Sequence, residues 1–413
     1  MKTISRFVLY LTLSLLISCS SEDDPIPADD VTNPDDNPSN PNPTISPKLV
    51  STTEIGSFSA AELTVLIGLA NIDLGDNAFQ YDVTVSKMVY ETEFKGETIN
   101  ASGLIITPTA LDEDFDLVVF NHGTITAHSE AFSETSPTGQ LMPLYAALAA
   151  TGNIAIFPDM IGFGESSNFF HPYYVKDVTA STVRDMIEVT ASSSSSFTGD
   201  LYIAGYSQGG YITMVSHEDI QGNPIDGVNL RASFPSSGGY DVKGMQEYFF
   251  SLETYDNPYY LGYVSLAYQD NYDVPFELDE LFNQPYADLM PSLFDGSNTS
   301  GLINAQLTDD ISELIVADAL VNFDTDNQYD FLRETLIDNG VITWTPTIPM
   351  FMYHGSADIT VPYQNSVDTY ERLLSNGASP DVLKFITLED KTHGTGVVPY
   401  IESFMAELSV IKN

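Results

Sequence analysis

A chain of 413 residues with 43% hydrophobic and 11% aromatic side chains carries enough apolar material for a substantial core, and an α/β enzyme of this length is commonly one domain. Lys and Arg number 14 against 58 Asp and Glu, a formal net charge of −44, so no basic stripe exists to displace phosphate counterions and nucleic acid is excluded as a partner. The acidity itself reads as a solvation adaptation and says little about chemistry.

The chain opens on a targeting pattern. Lys2 and Arg6 precede an apolar run, Phe7 to Ile17, that is short for a bilayer span, and Ser18 leads into Cys19, the single cysteine. The Leu16-Ile17-Ser18-Cys19 box resembles a bacterial lipoprotein signal, which implies cleavage of residues 1–18 and a diacylglycerol thioether on Cys19. The acidic Ser20-Ser21-Glu22-Asp23-Asp24 that follows resembles the export tag of Bacteroidota surface lipoproteins and implies an exported protein on the outer membrane or cell surface, touching the membrane only through its lipid. With Cys19 modified, no cysteine is left for a disulfide. Residues 19–47 are Asp, Asn, Pro and Ser with few apolar side chains, a composition that does not repay ordering entropy and reads as an acidic disordered tether.

From about residue 48 the pattern is that of a folded body extending to residue 413. Ala60 to Leu69 suits a short helix. Tyr81, Val83 and Val85, then Met88 and Tyr90, alternate with period two, and Lys95-Gly96-Glu97 turns the chain into Ile99–Thr107, which predicts an antiparallel edge hairpin. Short continuous apolar runs follow at Asp116–Phe120, Asn153–Phe157, Leu201–Ala204, Arg231–Phe234, Ile348–Tyr353 and Val382–Leu388. Helical stretches fall between them at Pro143–Ala150, Val178–Ala191, Gly209–His217, Pro362–Ser375 and, last, Val398–Leu408. Uniformly apolar strands alternating with helices predict a mainly parallel sheet covered on both faces. Between the Phe234 and Ile348 strands the rhythm breaks for roughly a hundred residues. A structureless loop of that length is rare in a compact domain, so residues about 240–345, rich in Tyr and Phe and with helical pieces such as Ile311–Leu320, read as an inserted helical cap.

The chemistry is carried by Gly205-Tyr206-Ser207-Gln208-Gly209, a G-x-S-x-G pentapeptide with an apolar strand before it and a helical stretch after it. A serine on so sharp a strand-to-helix turn is thrust into the open, its flanking glycines admit close backbone approach, and the helix start behind it offers N–H groups to an oxyanion. A serine hydroxyl needs a histidine to take its proton, and the histidine needs an acid to fix its tautomer. Of six histidines, His393 follows the last predicted strand in the small-residue loop Lys391-Thr392-His393-Gly394. His122 and His354 read as strand-end residues packed beneath the site, His217 as a surface or core residue of the helix, and His128 and His171 as upstream loop residues. Asp358, in the loop after the Ile348 strand, is the candidate acid. Asp390 competes for that role, but residues three apart in one loop seldom reach the required orientation. The backbone N–H of Gln208 supplies one candidate oxyanion donor, and Asn121-His122-Gly123-Thr124, at a strand exit, points to Thr124 for the second.

These pieces together, with Phe157-Pro158-Asp159, Gly162-Phe163-Gly164, His171-Pro172-Tyr173, His354-Gly355-Ser356-Ala357-Asp358 and Thr392-His393-Gly394, resemble the α/β-hydrolase superfamily and, within it, the secretory lipase family. The resemblance spans most of the body from Tyr81 and implies an α/β-hydrolase fold with an antiparallel N-terminal hairpin and a helical cap that shapes an acyl pocket. It implies hydrolysis of carboxylic esters through an acyl-enzyme, with Ser207 as nucleophile, His393 as base and Asp358 as acid, and with no metal or cofactor. The chain departs from that family in lacking disulfide cysteines and in its acidic tether. The expected partner is a small-molecule or lipid ester. Triglyceride, short-chain ester, polyester and glycan ester all remain open, because the aromatic cap residues Tyr259, Tyr260 and Phe276 suit an acyl chain or a stacked sugar alike. Two rival readings are a serine peptidase of the prolyl-oligopeptidase kind, which usually carries a propeller for which there is no room before Tyr81, and a non-catalytic surface binding lipoprotein on the same scaffold.

Overall fold

The structure, a computed structural model, describes residues 47–74, 79–110, 112–272 and 276–412. The signal segment 1–18, Cys19 and all but the last residue of the tether 19–47 lie outside the described residues.

The strands run in chain order as β1 (Leu49–Phe58), β2 (Val83–Phe94), β3 (Glu97–Pro108), β4 (Phe115–Asn121), β5 (Asn153–Pro158), β6 (Phe197–Tyr206), β7 (Asn229–Ser236), β8 (Met350–Gly355) and β9 (Leu383–Leu388). They form one sheet in the order β1-β2-β3-β5-β4-β6-β7-β8-β9, antiparallel from β1 to β5 and parallel from β5 to β9. The central strands place apolar side chains on both faces because each feeds two cores at once. In β4, Leu117 and Val119 face one core and Val118 the other; in β6, Leu201 and Ile203 face the first while Tyr202 and Ala204 face the second. Helices Lys176–Ser193, Gln208–Gly222 and Tyr363–Ser375 close the first core, with Val183, Ile212 and Leu373 fully buried. Helices Ala60–Leu69, Met142–Ala150 and Val397–Lys412 close the second through Leu63, Ala146 and Phe404. The first of these is started by a capping box in which Ser59 and Glu62 satisfy each other's backbone N–H groups.

Two elements differ from expectation. The predicted hairpin is β2–β3, but β1 pairs outside it from Leu49↔Tyr90 to Phe58↔Val83 and takes the edge. The Leu49–Phe58 segment is exposed through its first six residues, with only Ile55 and Phe58 packed against a core, so no regular hydrophobic alternation betrays it. The expected helical piece Ile311–Leu320 is two short helices, Ile311–Leu314 and Ala317–Asn322. The β-branched Ile315 and Val316 between them are drawn out of the helix: Ile315 bridges Phe282, and Val316 N–H donates to the Leu281 carbonyl. These belong to a run of helices from Val242–Ser251 through Tyr259–Asn271 and Tyr286–Leu293 to Asp330–Asp338, all lying in sequence between β7 and β8. No helix among the described residues is long and apolar enough to cross a membrane.

Candidate active site

Ser207 occupies the turn between the end of β6 and the helix Gln208–Gly222, with φ 61° and ψ −124°, a backbone state that side chains other than glycine seldom adopt. The surroundings enforce it. Ser207 N–H donates to Ser236 O on β7 at 2.9 Å, and its carbonyl accepts from Gly210 N at 2.8 Å, so the turn is tied to both the sheet and the helix. A Cβ on Gly205 would meet Gly209 O at 2.2 Å, and one on Gly209 would meet Asn121 O at 2.1 Å, which explains why this tight crossing carries glycine at both positions.

Two further loops at the same sheet edge approach the serine. The one after β8 carries Asp358 and the one after β9 carries His393, and they are fastened together: Ala357 N donates to Lys391 O at 3.0 Å and Asp390 N to Ser356 Oγ at 2.8 Å. His393 Nε2 lies 2.9 Å from Ser207 Oγ, and its Nδ1 lies 2.7 Å from Asp358 Oδ2. The structure thus brings Ser207, His393 and Asp358 into one hydrogen-bonded chain. Asp390 stays exposed, so its carboxylate is not the partner of His393. Asp358 is 3% exposed, and burial opposes its charge. Hydrogen bonds from His354 and His393 outweigh that burial and hold its carboxyl below the ordinary carboxylate value. Its other oxygen accepts from Thr360 N at 3.0 Å and Val361 N at 3.1 Å.

His354 does more than fill space beneath the site. Its Nδ1 accepts from Ser366 Oγ at 2.6 Å, which puts the ring proton on Nε2, facing Val361 O at 3.0 Å and Asp358 Oδ2 at 3.2 Å. That tautomer follows from the partners rather than from a visible hydrogen. His393 is further braced by Tyr206, whose hydroxyl donates to His393 O at 2.7 Å.

The two candidate oxyanion donors sit on separate elements. Gln208 opens a 15-residue helix, where main-chain N–H groups and the helix dipole favour negative charge. The loop after β4 comes close enough that a Cβ on Gly123 would lie 3.5 Å from Ser207 Cβ, and Thr124 is next along it. The Thr124 hydroxyl is engaged with Tyr173 OH at 3.0 Å, which leaves its main-chain N–H as its candidate contribution.

His171, read from sequence as a loop residue, proves to be part of this arrangement. Burial pushes its imidazole down to about 3, so it is neutral. Its Nδ1 donates to Ile161 O at 2.7 Å, and its Nε2 accepts from the Gln208 side-chain amide at 2.7 Å. Gly162, at φ +94°, must be glycine for this ring to approach, since a Cβ there would meet His171 N and Cα at 2.6 Å. The His171-Pro172-Tyr173 triplet therefore braces Gln208 through its first residue and Thr124 through its last. The motif was visible in sequence; the contacts that give it meaning are between residues 37 and 49 positions apart.

Beside Ser207 a cavity of about 80 Å³ opens, walled by Tyr173, Val361 and helical residues of the β7–β8 insertion such as Met245, Phe249 and Val264. Its lining is mostly apolar. Among the described residues no group of three or more His, Cys, Asp or Glu side chains is spaced to hold a metal ion.

No protein-family model matches this chain, and no curated protein matches it in sequence. Solved structures do match its fold. A presumed hydrolase from Legionella pneumophila superposes with a TM-score of 0.78 at 23% identity, covering 89% of this chain and 98% of its own. The rice cell wall degrading esterase LipA from Xanthomonas oryzae gives 0.73 at 19% identity over 87% of this chain and 97% of its own. Candida antarctica lipase A in its closed state gives 0.63 at 14% identity over 89% and 85%. The chain has the α/β-hydrolase fold.

Proposed function

We propose that this protein is a serine carboxylic-ester hydrolase working through an acyl-enzyme. The observation that carries the reading is the chain Ser207 Oγ, His393 Nε2 at 2.9 Å and, across the ring, Asp358 Oδ2 at 2.7 Å, opening onto an apolar cavity. The esterase and lipase among its fold neighbours are consistent with that reading.

In the acylation step Ser207 Oγ attacks the ester carbonyl carbon while its proton passes to His393 Nε2. The carbonyl oxygen, now negative, is held by the N–H groups of Gln208 and Thr124. Asp358 accepts from His393 Nδ1 and stabilises the imidazolium. His354, with the amides of Thr360 and Val361, keeps Asp358 ionised and in place. The tetrahedral adduct collapses, the bond to the alcohol oxygen breaks, and His393 returns its proton to that oxygen. Water then repeats the sequence on the acyl-enzyme and releases the acid.

The cavity limits the acyl group. A void of about 150 Å³ accommodates benzene, so one of about 80 Å³ takes an acyl tail of roughly three or four carbons. Short-chain esters are the proposed substrates. Export as a lipidated protein belongs to the same reading and rests on Leu16–Cys19. Cys19→Ser should release the protein from the membrane fraction, and its retention there would count against the anchor.

The decisive experiment is p-nitrophenyl butyrate hydrolysis by purified Ser207→Ala. Loss of at least about a thousandfold in kcat is expected, together with loss of fluorophosphonate labelling. Full activity in this variant would end the proposal.

A further inference from the structure

The cavity wall contains one polar group with nothing to bond. Gln246, on the helix Val242–Ser251, lines the cavity between Met245 and Phe249 and is 8% exposed, and its Oε1 has no hydrogen-bond partner. Its polar neighbours in the wall are satisfied. Ser265 Oγ donates to Leu261 O at 2.8 Å, Tyr268 OH to Tyr174 O at 3.3 Å, and Tyr174 OH accepts from Gly239 N at 3.4 Å. A buried amide oxygen without a partner is destabilising, and in a cavity otherwise suited to hydrocarbon a leucine or methionine would remove the cost at once. A glutamine in this place makes sense when something that enters the cavity bonds to it.

We infer that Gln246 recognises a hydroxyl on the acyl group, so that the preferred substrates are esters of short hydroxy acids. This deepens the ester-hydrolase reading and rests on it. Three features select the hydroxyl. Ser207 lines the cavity, and the ester-hydrolase reading seats in it the acyl moiety attached to the reacting carbonyl. A hydroxyl both donates and accepts, so it satisfies the amide whichever way its oxygen and nitrogen point. A carboxylate, the other polar group common on short acids, would enter a wall that contains no Lys, Arg or His, in a chain whose formal net charge is −44. The reaction itself is unchanged: ester and water give the hydroxy acid and the alcohol, with the hydroxyl of the acid untouched.

The test compares kcat/KM for ethyl butyrate, ethyl 2-hydroxybutyrate and ethyl 3-hydroxybutyrate by pH-stat. Each value is divided by the alkaline hydrolysis rate of the same ester to remove intrinsic reactivity. The full chain should prefer at least one hydroxylated ester by about tenfold, the worth of one good hydrogen bond. Gln246→Met, close in shape and without the amide, should erase that preference, and Gln246→Asn, which keeps an amide on a shorter stem, should retain part of it. A wild-type enzyme that hydrolyses butyrate but shows no preference overturns the inference and leaves the hydrolase reading intact, as does a preference that survives in Gln246→Met. A wild-type protein that cleaves none of the three esters and does not label with a fluorophosphonate overturns the hydrolase reading itself, and this inference with it.

Discussion

Asp358→Asn separates the chemistry of the site from its architecture. In the native site, Oδ2 accepts from His393 Nδ1 at 2.7 Å and lies 3.2 Å from His354 Nε2, while Oδ1 accepts from the amides of Thr360 and Val361. An asparagine keeps the second pair through its carbonyl oxygen but turns an NH₂ group toward both histidines. His393 then has a donor facing its Nδ1–H and adopts the other tautomer, with the proton on Nε2. In that form it cannot take the proton of Ser207, 2.9 Å away. The same substitution in a Ser-His-Asp protease lowers kcat by roughly 10⁴, and a loss of about that size is expected here at pH 7. His354 also relaxes by shifting its proton to Nδ1, which leaves the Val361 carbonyl, 3.0 Å from Nε2, without its donor. One orphaned buried acceptor costs about 1–3 kcal/mol, small enough for the variant to fold. That stability difference has a pH signature. The native carboxyl titrates below its unfolded value, so its contribution is complete above about pH 4 and is lost as pH falls through the still lower folded value. The gap in urea midpoints between wild type and variant should therefore narrow in acid below about pH 4. Activity on p-nitrophenyl butyrate, circular dichroism and urea denaturation measure these quantities. A folded Asp358→Asn within tenfold of wild-type kcat would refute the assignment. Asp390→Asn serves as the control and should change kcat less than about twofold, because its carboxylate is exposed.

His171→Leu removes the acceptor of the Gln208 side-chain amide and should lower kcat by about tenfold or more while moving KM little, since it disturbs the proposed oxyanion donor and not the cavity. An equal change in KM alone would contradict its positioning role. Gly205→Ala places a Cβ 2.2 Å from Gly209 O and should destabilise the fold by about 3 kcal/mol or more, read by thermal or chemical denaturation. Asp185 is a half-buried carboxyl pushed up to about 6 by desolvation, only partly offset by the hydrogen bond from Thr92. Its ionisation is thus disfavoured in the folded state, a penalty absent below about pH 4 and fully developed above pH 6. Asp185→Asn should accordingly stabilise the protein at pH 8 by up to about 3 kcal/mol and have little effect at pH 4. A benefit that does not depend on pH would show that the carboxyl is not held neutral.

The local part of this protein was legible one segment at a time. Apolar runs bounded by turns placed the parallel strands to within a few residues, because the middle of a strand that feeds two cores is apolar on both faces. The Gly205–Gly209 pentapeptide placed Ser207 because its turn tolerates no Cβ at either flank. Where an element depends on a distant partner, sequence periodicity was silent. β1 is mostly exposed and lacks a regular alternation, and it pairs along β2; the helix expected over Ile311–Leu320 is broken by bridges to Phe282 and Leu281. The site divides the same way. Chain order nominated Ser207, Asp358 and His393, but their distances, the anchoring of Asp358 by His354, the bracing of Gln208 by His171 and the unpartnered Oε1 of Gln246 arise only when segments far apart in sequence are packed together. Hydrogen bonds act over about 3 Å, and only tertiary structure decides which residues come that close.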